Sequence, residues 1–297
     1  MQDQGGQQSL AGDGRMRDLE YSYLKTRIKH LTGIDLDNYR ERQMRRRLTS
    51  FISRTSAPGV VAYCRMVEGD RTMLDDLRSF LTIKVSEFFR DPLPFEQLRT
   101  EILPQLLMDR PRLNIWSTGC SVGGEPYSIA IILDKLTPYS KHRILATDID
   151  EISLERARAG GPYRSNEVRS VPTQLLREYF EVFEDCYRVN DKIRRKVEFK
   201  KHDLLREPFE AGFDLIVCRN VAIYFTEEAK VRLNQQFCQS LSPGGILFVG
   251  GTEAIARARE LGLTTLGHCF FRKQPTDALR MLPVDEERAV KAMNVRR

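Results

Sequence analysis

The feature that most constrains this chain is a change of texture near residue 113. From there, short apolar runs of strand length alternate with helix-period segments: "LNIWST", "EPYSIAIILDKL", "RILATDI" and "EISLERARAG" follow one another within residues 113–160. Neighbouring strands can run parallel only when a crossover, usually a helix, joins them, so this rhythm predicts a doubly wound α/β sheet. The rhythm resumes with "FDLIVCRNV", the amphipathic "EEAKVRLNQQFCQSL", a "PGG" turn and "ILFVGG". Between the two stretches, residues 162–200 break it. "TQLLREYFEVF" has a helical pattern, and "CYRVNDKIRRKVEF" alternates as a short hairpin would, with "VNDKI" as its turn.

Residues 15–90 read differently. "LEYSYLKTRIKHLTG" stops at Gly33, an arginine-rich helix follows, "VVAYCRMVEG" closes at Gly69, and "TMLDDLRSFLTIKV" completes a small all-helical unit. Residues 1–14 are Gly- and Gln-rich without periodicity and are expected to be a disordered tail. The expected organisation is a tail at 1–14, a helical domain at 15–90, an α/β domain at 91–271 with an insert at about 162–200, and a second tail at 272–297.

Composition excludes several classes. With 41% hydrophobic and 30% charged residues in 297, wholesale disorder is ruled out. No apolar run approaches the roughly 18–20 residues of a membrane span, and the start lacks a secretory signal, so a cytoplasmic protein is expected. Six cysteines without a CxxC pair and four scattered histidines suggest free thiols and no metal site. The net charge of +6 admits nucleic acid, a membrane surface or an acidic protein as partner. It concentrates in "YRERQMRRRLTSFISR", residues 39–54, with six arginines against one glutamate. Met44, Leu48, Phe51 and Ile52 fall on one helical face, which leaves Arg42, Arg45 and Arg46 on another. That face is either simply solvated or a dock for something acidic.

The stretch "STGCSVGGEPYS" links the first strand to its helix. Gly119 and Gly123 let backbone approach a ligand closely, and the helix start offers free N–H groups. The GxGxxG spacing is not met and no GKT or GKS follows, so a ligand with a small near end, such as an amino acid, suits the turn better than pyrophosphate. Asp148, at the end of the second strand, is placed to grip ribose hydroxyls or to cap the next helix; Asp150, directly before "EISLERARAG", is the better cap.

"LTIKVSEFFRDP", "CSVGGEPYSIA", "TDID", "CRNVAIYF" and "LSPGGILFVGGTEAI", in this order, resemble the CheR family of chemotaxis receptor methyltransferases over residues 17–271. The resemblance implies a Rossmann-like S-adenosylmethionine-dependent methyltransferase sheet with an N-terminal all-helical domain and a small inserted antiparallel β subdomain. It implies methyl transfer to glutamate side chains of receptor coiled coils, with S-adenosylhomocysteine as product and no metal. The partner would be the cytoplasmic helical bundle of a chemoreceptor, met by a monomer, with no nucleic acid and no membrane insertion. Carried over by position, Lys84, Ser86, Arg90, Gly119, Gly123, Glu125, Asp148, Asp203, Leu204, Arg219 and Asn220 would hold the cofactor. Arg90 and Tyr224 would act on the substrate carboxylate, and Arg42, Arg45 and Arg46 would dock the receptor.

A glutamate nucleophile is already an anion at neutral pH, with a pKa of about 4.3, so the absence of a Ser-His-Asp or Cys-His motif is consistent with this chemistry. Three departures stand out. Lys84 occupies a place usually held by asparagine, Gly251 one held by histidine, and Gly124 one held by glutamate, so that Gly124 reads as a missing carboxylate. They keep open a noncatalytic regulator that binds S-adenosylmethionine or S-adenosylhomocysteine. Nucleic-acid methylation is disfavoured, since neither an Asn/Asp-Pro-Pro-Tyr/Phe nor a Pro-Cys motif occurs. The "VNDKI" turn has no glycine of the kind a peptide-gripping hairpin would use, so docking without a tether to the receptor C-terminus is expected.

Overall fold

The computed structural model describes residues 16–82 and 86–275. Lys84, the expected tail at 1–14 and residues 276–297 lie outside the described residues. Four helices open the chain: α1 (Asp18–Thr32), α2 (Glu41–Ile52), α3 (Val60–Gly69) and α4 (Arg71–Leu81). α1 stops because Gly33 turns left-handed, at φ 80°, and returns its N–H to the Lys29 carbonyl. α4 starts at Asp70, whose carboxylate accepts the N–H groups of Thr72 and Met73. The apolar faces converge on one core in which Leu24, Ile28, Leu48, Tyr63, Val67 and Leu77 are buried.

Helices α5 (Pro92–Gln97) and α6 (Leu103–Asp109), joined by a π-helical stretch at Leu98–Ile102, lead into the sheet. Its parallel part comprises β1 (Asn114–Thr118), β2 (Arg143–Asp148), β5 (Val197–Lys201), β6 (Phe213–Cys218) and β7 (Leu241–Val249). Between β2 and β5 stands a separate antiparallel hairpin of β3 (Phe180–Phe183) and β4 (Cys186–Val189). β8 (Leu263–Thr265) and β9 (Phe270–Lys273) add an antiparallel edge, giving the order β5-β2-β1-β6-β7-β9-β8. The connecting helices are α7 (Gly124–Leu136), α8 (Glu151–Arg158), α9 (Thr173–Tyr179), α10 (Asp191–Arg194) and α11 (Glu227–Ser240).

Successive strand residues feed opposite cores. Ile115, Val217 and Phe248 join Ile129 and Ile132 of α7 on one face, while Trp116, Ile216 and Leu247 join Leu233 and Phe237 of α11 on the other. All six residues of β6 are buried, as a central strand covered on both faces requires. The chain runs outward from β1 through β2 to β5 and then returns to β6 on the far side of β1. That reversal opens a crevice at the carboxyl ends of β1 and β6, where open α/β sheets bind ligands.

Four segments differ from the sequence reading. In "TQLLREYFEVF" only Thr173–Tyr179 is helical, and "FEVF" is strand β3, paired with β4. "KVEF" is not a hairpin arm: it lies in β5, paired parallel with β2, and "VNDKI" runs from the end of β4 into α10. The hairpin turns instead at Glu184-Asp185, with Glu184 at φ 51°, so the missing glycine in "VNDKI" says nothing about peptide binding. "PGG" is an irregularity inside β7, where the partner of β6 jumps from Leu241 opposite Phe213 to Ile246 opposite Leu215. Arg272 and Lys273, expected in a loose tail, belong to β9.

The insert is fastened to α7 by one buried carboxylate. The Asp134 side chain, 1% exposed, accepts hydrogen bonds from Tyr179 Oη at 2.9 Å and Lys192 Nζ at 2.6 Å, and pairs with Lys196 at 3.0 Å. All six cysteines are free thiols. Among the described residues no helix is long and apolar enough to cross a membrane, and no cluster of three metal-ligating side chains occurs.

Candidate active site

The crevice is built from the ends of strands and the turns that follow them. After β1 the chain turns sharply: Gly119, Ser121 and Gly123 all have positive φ, at 60°, 50° and 91°. A Cβ on Gly119 would lie 2.5 Å from Val221 Cγ2, so glycine there lets the turn pass under the loop after β6. Ser121 holds its strained conformation because its N–H donates to Asp148 Oδ2 at 2.8 Å. The other Asp148 oxygen accepts the N–H of Asp150 at 2.9 Å, and Asp150 in turn caps α8 through Ser153. Burial pushes the Asp148 carboxyl above its ordinary pKa, against the pull of those backbone donors.

Asp148, Asp203, Leu204, Gly119, Arg219, Asn220 and Tyr224 line one hollow. Asp203 Oδ1 accepts the Leu205 N–H at 2.9 Å, which fixes the carboxylate at the rim. Ser121 shares the same wall, and its hydroxyl is buried without a protein partner. Tyr224 sits in the short turn Ala222–Tyr224 just beyond β6.

Arg219 connects this hollow to the remaining expected residues. Its side chain is only 2% exposed and lies over the rings of Phe248 and Phe95, at 4.8 and 5.2 Å. One terminal nitrogen donates to the Arg90 carbonyl at 3.0 Å and to Asp91 Oδ2 at 2.8 Å; the other stands 3.6 Å from Glu125. Glu125 also accepts the Ser117 hydroxyl at 2.8 Å. Burial raises the Glu125 pKa, Arg219 and Ser117 oppose the rise, and nearby Glu253 adds to it. Arg90 is flanked by Phe89 and Asp91, at φ 52° and 56°, and the Phe89 N–H is held by Ser128 Oγ at 2.9 Å. Four of the six non-glycine residues with positive φ among the described residues, Phe89, Asp91, Ser121 and Asn220, therefore surround this site. At about 1–3 kcal/mol each, such strain persists only where neighbouring bonds impose it.

Glu125, Gly123, Ser86 and Arg90 do not line the hollow itself. Glu125 and Arg90 reach it through Arg219, and Gly123 forms the N-cap of α7. Ser86 lies on the opposite side of the Ser121 turn, in a hollow with Arg156 and Arg164. Its neighbour explains Gly124: a Cβ there would stand 2.9 Å from Ser86 Oγ and 3.0 Å from the Glu87 carbonyl carbon. Gly124 is thus a close-approach glycine, which corrects its reading as only a missing carboxylate.

The arginines expected to dock a partner divide. Arg42 and Arg46 are exposed on α2 and form no ion pair among the described residues. Arg45 does not project freely: it donates to the Met16 carbonyl at 3.1 Å and Asp18 at 2.6 Å and covers the Tyr21 ring at 5.2 Å.

Sequence reasoning missed Tyr39, Leu81 and Thr82, which bring the helical unit to the hollow's wall; it noted Glu253 in a structural turn but not its partners, the N–H groups of Asn220 and Gly250, which its Oε2 accepts at 2.6 and 2.9 Å. The glutamate of "GGTEA" was visible, but its role as a brace beneath the "RN" loop depends on two loops meeting in space.

A Rossmann-like sheet with an aspartate ending its second strand and a strained glycine turn after its first is the arrangement of a nucleoside-cofactor-binding α/β fold. The chain belongs to the CheR methyltransferase family: the CheR methyltransferase all-alpha domain matches residues 19–82, and the CheR methyltransferase SAM binding domain matches residues 84–266. It is 40% identical over 259 residues to a chemotaxis protein methyltransferase of Listeria monocytogenes, covering 86% of this chain and 98% of that one. A probable chemotaxis protein methyltransferase of Rhizobium etli is 33% identical, with 81% and 94% covered. Chemotaxis protein methyltransferase 2 of Vibrio cholerae is 32% identical, with 81% and 87% covered.

The residues present fit S-adenosylmethionine. Asp148 and Asp203 each retain acceptor capacity for hydroxyls and an exocyclic amine, and Ser121 offers a buried, unpartnered hydroxyl on the same wall.

Proposed function

We propose that this protein methylates glutamate side chains of chemotaxis receptors, forming glutamyl methyl esters. The reading is supported most by one juxtaposition: Tyr224 shares a wall with Asp148, Asp203 and Gly119, so a reactive side chain borders the nucleoside residues. Bound S-adenosylmethionine supplies a sulfonium methyl group, and the protein's work is to hold, align and dry the incoming carboxylate. Asp148 holds ribose hydroxyls, Asp203 and Leu204 flank the base, and Glu125 receives the ammonium. Because Arg219 is 3.6 Å from Glu125 and anchored to Asp91, the acidic group is partly neutralised and fixed before a ligand arrives.

Arg90 orients the substrate carboxylate and offsets its charge as water leaves, and the Tyr224 hydroxyl directs the attacking oxygen. No general base is required, since the nucleophile is ionised already. Arg42 and Arg46 on α2 supply a basic face for an acidic helical bundle. The test is transfer of a labelled methyl group to receptor-containing membranes, with release of the label in alkali. Alkali-labile label on the receptor supports the proposal. Binding of S-adenosylhomocysteine without transfer would instead identify a noncatalytic regulator, and alkali-stable label on nucleic acid would refute protein esterification.

A further inference from the structure

We propose that Tyr39 of the helical unit contacts the nucleoside half of the cofactor, so that cofactor binding fastens that unit to the α/β sheet. The proposal rests on the crevice being the S-adenosylmethionine site. Tyr39 lies between α1 and α2, far in sequence from every glycine or acidic residue of the crevice, yet it shares a wall with Asp148, Asp203 and Leu204.

The backbone puts it there. Tyr39 forms an isolated antiparallel bridge with Phe225, the Arg40 N–H donates to the Tyr224 carbonyl at 2.9 Å, and the Thr226 N–H donates to the Asn38 carbonyl at 2.9 Å. Arg232 adds a bond to Asn38 Oδ1 at 2.8 Å, and the Tyr39 ring meets the Phe225 ring edge-on at 5.2 Å.

These contacts use the ring and the backbone, and none of them uses the hydroxyl. Phenylalanine would serve the packing equally well. A phenol at the wall of a hollow lined by two carboxylates is a donor and acceptor suited to ribose or base edges, and its ring offers a surface for a base. Burial, with Asp203 and Asp148 facing it, holds the phenol well above its usual pKa, so it stays a neutral donor.

The experiment titrates S-adenosylhomocysteine and 5′-methylthioadenosine, which lacks the amino-acid end, into wild type, Tyr39→Phe, Tyr39→Ala and Glu125→Gln. Tyr39→Phe is expected to weaken both ligands by about three- to ten-fold, without changing the apo melting temperature. Tyr39→Ala is expected to weaken both by about ten- to a hundred-fold. Glu125→Gln should weaken S-adenosylhomocysteine alone. In wild type, ligand should slow amide exchange at Arg40 and Thr226, and this protection should be lost in Tyr39→Ala. Affinities within two-fold of wild type in both Tyr39 variants overturn the proposal while leaving the site intact. Failure of wild type to bind either ligand removes the reading of the crevice and the proposal with it.

Discussion

Ser121 and Asp148 hold each other in place: the backbone N–H of the strained serine donates to Oδ2 of the aspartate at 2.8 Å, across the gap between the first turn and the end of β2. Removing the carboxylate therefore has two effects. Asp148→Ala should lower affinity for S-adenosylhomocysteine at least about ten-fold, and should destabilise the fold by about 1–3 kcal/mol because a buried donor loses its partner. Calorimetric titration and thermal melts read the two separately. Unchanged affinity alongside reduced stability would confine Asp148 to a structural role.

Glu125 and Asp148 both have pKa values raised chiefly by burial, so the folded apo protein binds protons more tightly there than the unfolded chain does. Their ionisation opposes folding at neutral pH, and that cost is relieved as pH falls through their folded values toward the unfolded ones. Cofactor binding has the reverse sign, since an ammonium and ribose hydroxyls need the anions. As pH falls toward the ordinary carboxylate range, near about pH 4, S-adenosylhomocysteine affinity should fall with acidity, and these two groups should not reduce apo stability. The groups whose pKa values are depressed, such as Glu87 beside Arg169, withdraw their stabilisation only at lower pH. Glu125→Gln should flatten much of the pH dependence of binding.

Gly124→Glu would introduce the carboxylate that the family resemblance leads one to expect here, but its Cβ would meet Ser86 Oγ and the Glu87 backbone at 2.9 and 3.0 Å. The expected outcome is a melting temperature lowered by an overpacking cost of about 1–3 kcal/mol, with no gain in cofactor affinity. Tighter binding at unchanged stability would show that the 86–88 segment yields freely.

The arginines of α2 should separate by phenotype. Arg42→Ala with Arg46→Ala should raise the apparent KM for receptor and leave S-adenosylhomocysteine affinity unchanged. Arg45→Ala should instead cost up to about 1 kcal/mol of stability, because that side chain covers Tyr21 and pairs with Asp18.

Tyr224→Phe tests the substrate side. Methyl transfer should slow about 10²-fold, the lower end of what a positioned catalytic group contributes, with cofactor affinity within about two-fold of wild type. Equal loss of both would place the hydroxyl in cofactor binding.

Much of this architecture was legible because it is written locally. Gly33 ends α1, Asp150 caps α8, and "FDLIVC" is apolar throughout because β6 is covered on both faces. What could not be read depended on partners distant in the chain. Alternation in "KVEF" indicates a strand but not whether it pairs with "CYRV" or with β2 some fifty residues earlier. The glycine turn and Asp148 follow a spacing that sequence carries. Tyr39 enters the site only because residues 38–40 pair with residues 224–226. Arg45 looks free on a helical wheel, yet α1 packs close enough to engage it.

That pairing between the Asn38–Arg40 link and the loop carrying Tyr224 bears on how the chain can be cut and recombined. A chimera joined between α4 and Ser86 would exchange the helical unit intact yet replace one partner of each backbone bond that ties residues 38–40 to the loop carrying Tyr224. Exchanging the helical unit with a relative's should therefore disturb the Tyr224 loop, unless residues 38–40 and 224–226 are exchanged as a set.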